Sequence, residues 1–139
     1  MSEPVAPRLS ARLWPQAFGI LHLDGEAGRG FALPPGESGD APSLVLRQGD
    51  KVTVIAPVEE LGETGVGGEP ARRWRAVSLD GVAEAKASIV LKEATSVLSE
   101  AGAAVLAVAT GSDLLLLVPE ELLGRALSAL AQAKLERLA

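Results

Sequence analysis

A chain of 139 residues makes about one average domain, or two very small units sharing a core. Its 47% hydrophobic and 22% charged residues exclude a disordered chain, and a net charge of −5 without a basic stripe gives little footing for a nucleic-acid backbone. Cysteine is absent, which removes disulfides, thiolate chemistry and cysteine-based metal sites.

The N-terminus, MSEPVAPRLSARLWP, has no apolar stretch long enough for a signal peptide, so a soluble cytoplasmic protein is expected. Leu9 to Leu13 is extended-looking and has no partner of its own before Pro15. Ala17 to Asp24 (AFGILHLD) reads as a strand ending at an Asp-Gly turn. Glycines and prolines then fill residues 25 to 42, which reads as a loop with no helix. Ser43 to Arg47 and Lys51 to Ala56 form a hairpin around Gln48-Gly49-Asp50, followed by Pro57 and Glu59-Glu60-Leu61.

Arg72-Arg73-Trp74-Arg75 is the densest basic cluster, and it reads as a solvated strand entry with a stacked guanidinium. Trp74 to Asp80 alternates with Val77 and Leu79 on one face and ends at Asp80-Gly81. Glu84 to Ala101 has helical periodicity, with Val90, Ala94, Val97, Leu98 and Ala101 on one side, and Gly102 stands where a helix-ending glycine belongs. Ala103 to Ala109 and Leu114 to Val118 are nearly uniformly apolar strands, too short and too interrupted to span a bilayer. Pro119 opens a helix from about Glu120 to Arg137, with Leu123, Leu127 and Leu130 as its apolar stripe.

Two passages run alike: VLRQGDKVTVIAPVEEL and AVATGSDLLLLVPEEL are each strand, Gly/Asp turn, apolar strand, Pro and Glu-Glu-Leu. Pro57 and Pro119 stand 62 residues apart, and Asp50 and Asp113 stand 63 apart. A repeat at that spacing points to two copies of one supersecondary unit.

The segments Trp74-Arg75-Ala76-Val77, Leu79-Asp80-Gly81 and SVLSEAGAAVLAVATGSDLLLLVPEELLGRALSAL resemble an ACT domain, the small βαββαβ amino-acid-binding module. More narrowly, the chain resembles tandem ACT-like proteins, a small bacterial family related to the regulatory domains of aspartate kinases and to the arginine-sensor ACT domains. That family runs through "LAEAGISIFAIST", a polar turn ending in Asp, a short strand and "EEDLERAL". The hairpin SLVLRQGDKVTVIAPVEEL is similar to the matching part of its first half. There are departures: the turn Ala109 to Asp113 is about two residues short, Leu114 replaces the aromatic that often follows the Asp, and the first half lacks its first helix.

The resemblance implies an α+β fold of two ferredoxin-like ACT halves with exchanged strands and helix-covered antiparallel sheets. The halves are residues 9–70, degenerate, and residues 71–139. Since the second half ends on its helix, Leu9 to Leu13 is expected to supply its fourth strand. The resemblance also places the ligand-contacting acid of the turn on Asp113, and the glycine and acid of the first loop on Gly81 and Glu84. Thr110, Gly111 and Ser112 complete the turn, whose bland reading is a hairpin with a positive-φ glycine. Glu84 equally suits the positive end of a helix dipole.

Other chemistry is unsupported. His22, the only histidine, shares a face with Phe18 and Ile20 and reads as a packed or edge residue. GEAGRG lacks the Lys-Ser/Thr of a phosphate loop. The expectation is a non-enzymatic regulatory module binding a small amino acid between ACT units, with no cofactor and no metal. The alternative is a ligand-free interaction module on the same scaffold. Strands as apolar as AAVLAVA and LLLLV need cover on both faces, which points to a homodimer.

Overall fold

A computed structural model describes residues 10–32, 41–64, 72–111 and 113–135. The elements run β1 (Ser10–Leu23), α1 (Gly25–Arg29), β2 (Leu44–Gln48), β3 (Lys51–Pro57), α2 (Val58–Thr64), β4 (Trp74–Asp80), α3 (Ala87–Glu100), β5 (Leu106–Ala109), β6 (Asp113–Pro119) and α4 (Leu123–Ala133). Single 3-10 turns, Glu84–Lys86 and Glu120–Leu122, precede α3 and α4.

The chain folds as two compact units, one of them assembled from two separate stretches of sequence. Residues 15–74 form one, and residues 75–135 with 10–14 form the other. In the second unit the strand order is β1-β4-β6-β5, so the first residues of β1 fill the fourth-strand place of a βαββαβ module. Strands are exchanged as the resemblance implies. Leu9, where that strand is expected to begin, lies outside the described residues.

Helix α3 forms because Val90, Ala94 and Leu98 recur every fourth position and are fully buried. Its end is a Schellman motif: Ala103 N–H donates to Leu98 C=O and Gly102 N–H to Ser99 C=O, with Gly102 at φ 77°. Helix α4 buries Ala126 and Leu130, while Leu123 and Leu127 pack at the margin. Both helices cover the face of Val77, Leu79, Leu114, Leu116 and Val118. The expected run to Arg137 is shorter. Lys134 turns left-handed at φ 50° and ends the helix, and residues 136–139 lie outside the described residues.

The other face of the central strands is also buried, since Leu117, Ala76 and Ser78 are nearly inaccessible. The large apolar side chains this unit exposes are Leu13 on β1, Ile89 on α3 and Leu106 on β5, the last 38% exposed. The register of β5 with β6 pairs Leu106 with Leu117 and Ala109 with Leu114.

In the N-terminal unit the order is β2-β3-β1. Val52, Val54 and Ala56 of β3 meet Leu21 and Leu23 of β1 in a core completed by Phe31 and Leu61. Two corrections apply. β1 runs unbroken through Pro15 rather than beginning at Ala17, because a proline without an N–H is tolerated where the strand bends or lies unpaired. The loop expected after it begins with a one-turn helix, α1, whose two glycines in five residues leave no periodicity to read. Residues 33–40 of that loop lie outside the described residues.

Candidate functional site

Gly81 follows β4 at φ 83°, a left-handed turn that a side chain resists. Val82, 2% exposed, anchors the loop in the core. Glu84 is exposed on the 3-10 turn ahead of α3, so the helix begins three residues later than its periodicity suggests and has no acid in its own first turn.

At the start of β6, Thr110 and Asp113 close the β5–β6 hairpin on each other. Thr110 N–H donates to Asp113 C=O at 2.9 Å and the Thr110 hydroxyl donates to the same oxygen at 3.1 Å. Asp113 N–H in turn donates to the Thr110 hydroxyl at 3.2 Å. The amides of Thr110 and Asp113 are thus committed inside the turn. Gly111 is exposed, with nothing within 4 Å of where a Cβ would stand, and it does not adopt the positive φ expected of it. Ser112 lies outside the described residues.

Because β6 neighbours β4 in an antiparallel sheet, the end of β4 lies beside the start of β6. Topology therefore brings the Gly81–Glu84 loop and the Thr110–Asp113 turn to one end of the C-terminal unit.

The N-terminal unit treats its corresponding end differently. Asp50 of the β2–β3 turn pairs with Arg29 of α1 at 3.9 Å. Gly28 packs so closely there that a Cβ would stand 1.9 Å from the Asp50 carbonyl oxygen. Arg47 donates to the carbonyls of Gly28, at 3.1 Å, and Phe31.

Other features fall elsewhere. His22 is exposed and shares a 3.1 Å hydrogen bond with Thr53, its cross-strand neighbour. Arg72 stacks over Trp74 at 5.2 Å, as the stacked-guanidinium reading of that cluster supposes. A cleft of about 450 Å³ in the N-terminal unit, walled by Pro15 and Pro57 with Gln16, Glu59 and Arg73 on its rim, has no signal in the sequence. Its parts are scattered along the chain, and although Pro57 and Glu59 belong to the repeat and Arg73 to the basic cluster, nothing in the sequence brings them together. Among the described residues no helix is long and apolar enough to cross a membrane, and no group of three His, Cys, Asp or Glu can hold a metal.

Residues 69–132 match a family model described as the ACT domain. A search of the curated proteins returns no match. Among solved structures, a protein from Agrobacterium tumefaciens is similar at 21% identity and a TM-score of 0.67, covering 92% of this chain and 90% of that one. A protein of unknown function from Vibrio cholerae, described as a possible transport protein, is similar at 19% identity and a TM-score of 0.64, covering 89% and 88%. The ligand-free regulatory subunit of aspartate kinase from Thermus thermophilus is similar at 16% identity and a TM-score of 0.57, covering 91% and 99%. At such identities the likeness is one of fold.

Proposed function

We propose that this chain, an ACT-like domain protein, is a non-enzymatic regulatory module that takes a small amino acid at the turn end of its C-terminal unit. Gly81, Glu84, Thr110, Gly111, Ser112 and Asp113 are the residues proposed to meet the ligand. The carrying observation is the exposed hairpin turn that begins β6, lying at the same end as the Gly81 loop. Asp113 at the strand's head offers a carboxylate for a ligand ammonium, and Glu84 offers a second across the loop. With the amides of Thr110 and Asp113 already bonded, a ligand carboxylate has to find its donors in the loop amides or on a neighbouring unit.

That commitment of Thr110 favours a second reading, a ligand-free interaction module whose turn is only structural. In either reading the protein is cytoplasmic and works as a homodimer, with the exposed apolar strand β5 as its contact.

The deciding experiment is a thermal-shift screen of the full chain against the twenty amino acids. A ligand at about a hundred times its dissociation constant stabilises the protein by roughly 2.7 kcal/mol, a readily visible rise in melting temperature. A flat response to all twenty favours the interaction module.

A further inference from the structure

We infer that α1 is a built-in occupant of the N-terminal unit's turn end, so that the chain binds one amino acid and not two. The inference rests on the reading of Asp113 as a ligand contact. The two turns hold the same place in the repeat, each closing an apolar hairpin that ends in Pro-x-Glu or Pro-Glu-Glu, but counted back from Pro57 and Pro119 it is Lys51 that matches Asp113, and Asp50 stands one place earlier. Their surroundings differ. The Asp113 turn is exposed around Gly111. The Asp50 turn carries α1 seated against it.

Three contacts seat that helix. Gly28 meets the Asp50 carbonyl oxygen so closely that no Cβ fits, since 1.9 Å is far inside any real carbon–oxygen contact. The Arg29 guanidinium stands 3.9 Å from the Asp50 carboxylate, so the acid of this turn already faces a cation. Arg47 holds the helix from the far side through the carbonyls of Gly28 and Phe31, and Phe31 is itself buried in the core of the unit. A small ligand entering here would have to displace a cation, a packed backbone and a core aromatic together. The glycine-rich sequence that obscures the helix is what lets it come so close.

The test is calorimetric titration of the full chain with whichever amino acid scores in the thermal screen. The expected stoichiometry is one per chain. Asp50→Asn should leave the affinity within about two-fold, because its carboxylate pairs with Arg29 of α1, whereas Asp113→Asn should lower it roughly ten- to a hundred-fold. Two equivalents per chain, or a ten-fold loss in Asp50→Asn, would overturn the inference. Gly28→Ala tests the seated helix without any ligand: a fall in melting temperature of roughly 10 °C or more, up to failure to fold, is the expected result. An unchanged melting temperature would mean that α1 is not packed on the turn, and the inference fails. No response to any amino acid would overturn the ligand reading and the count of one with it, while Gly28→Ala still decides whether the turn is occupied.

Discussion

The indole N–H of Trp14 donates to the hydroxyl of Ser78 at 2.7 Å, joining positions 64 apart in sequence. Two residues back on β1 and two residues on along β4, Arg12 pairs with Asp80 at 3.4 Å, and Arg75 donates to the Trp14 carbonyl at 3.1 Å. Rising numbers on β1 against falling numbers on β4 mark an antiparallel pair, and it is this pair that completes the C-terminal unit. Arg12 also stacks on the Trp14 ring at 4.2 Å.

Removing residues 1–14 should therefore damage the C-terminal unit although its own sequence is untouched. Ser78, 6% exposed, loses its partner, and a buried hydroxyl without one costs about 1–3 kcal/mol. β4 gains an open edge, and the half-buried indole no longer covers it. The Arg12–Asp80 pair is partly exposed and adds little. A chain beginning at Pro15 should be less stable than the full chain by at least about 3 kcal/mol in urea denaturation. Equal midpoints would defeat the strand exchange. Trp14→Phe is the finer version, expected to cost about 1–2 kcal/mol.

Two helix ends make opposite predictions. Gly102 sits at φ 77° with Arg125 Nη1 3.4 Å from where a Cβ would be, a flexible neighbour that can yield. Gly102→Ala should thus cost only the backbone term, about 1–2 kcal/mol. Lys134 holds a similar left-handed conformation at φ 50° with a side chain in place. Lys134→Gly should stabilise by about 0.5 kcal/mol, the relief of that strain less the added freedom of the unfolded chain. Thermal denaturation of both variants reads the two signs directly.

The C-terminal unit is legible because its signals are local and repeated. Val90, Ala94 and Leu98 announce a helix and Gly102 its end. What stays hidden depends on contacts distant in sequence. No periodicity in GEAGR predicts a helix, since α1 is held by Arg47 and the Asp50 turn rather than by an apolar stripe of its own. The start of α3 is misplaced by sequence reasoning because Glu84 suits a helix N-terminus by charge, while the chain first makes a 3-10 turn there. Of the candidate site, Asp113 and Gly81 are reached through the resemblance to the ACT family. The bonding of Thr110 back onto Asp113 is not, because it depends on turn geometry.

β5 offers a test of assembly. Leu106 and Val108 share one face of an edge strand that carries no charge and no proline to discourage pairing. Light scattering at high micromolar concentration should give about twice the chain mass of 14.3 kDa. Leu106→Lys should shift that value toward a single chain while leaving far-UV circular dichroism unchanged. A wild-type protein that scatters as one chain would remove the proposed dimer.

Asp113 is where the regulatory and the purely structural readings part. Its backbone closes the hairpin through Thr110, and asparagine keeps that backbone geometry and a side-chain acceptor. If the carboxylate serves only the turn, Asp113→Asn should leave every property nearly unchanged. If it meets a ligand ammonium, the same change removes a charge-assisted hydrogen bond worth roughly 1.5–3 kcal/mol, or about ten- to a hundred-fold in affinity. The expected outcome is that loss in titration calorimetry, with the melting temperature of the unliganded variant within about 2 °C of wild type. Equal affinities would clear Asp113 of any binding role. A lowered melting temperature without ligand would instead assign the carboxylate to the hairpin, and the interaction-module reading would then hold the field.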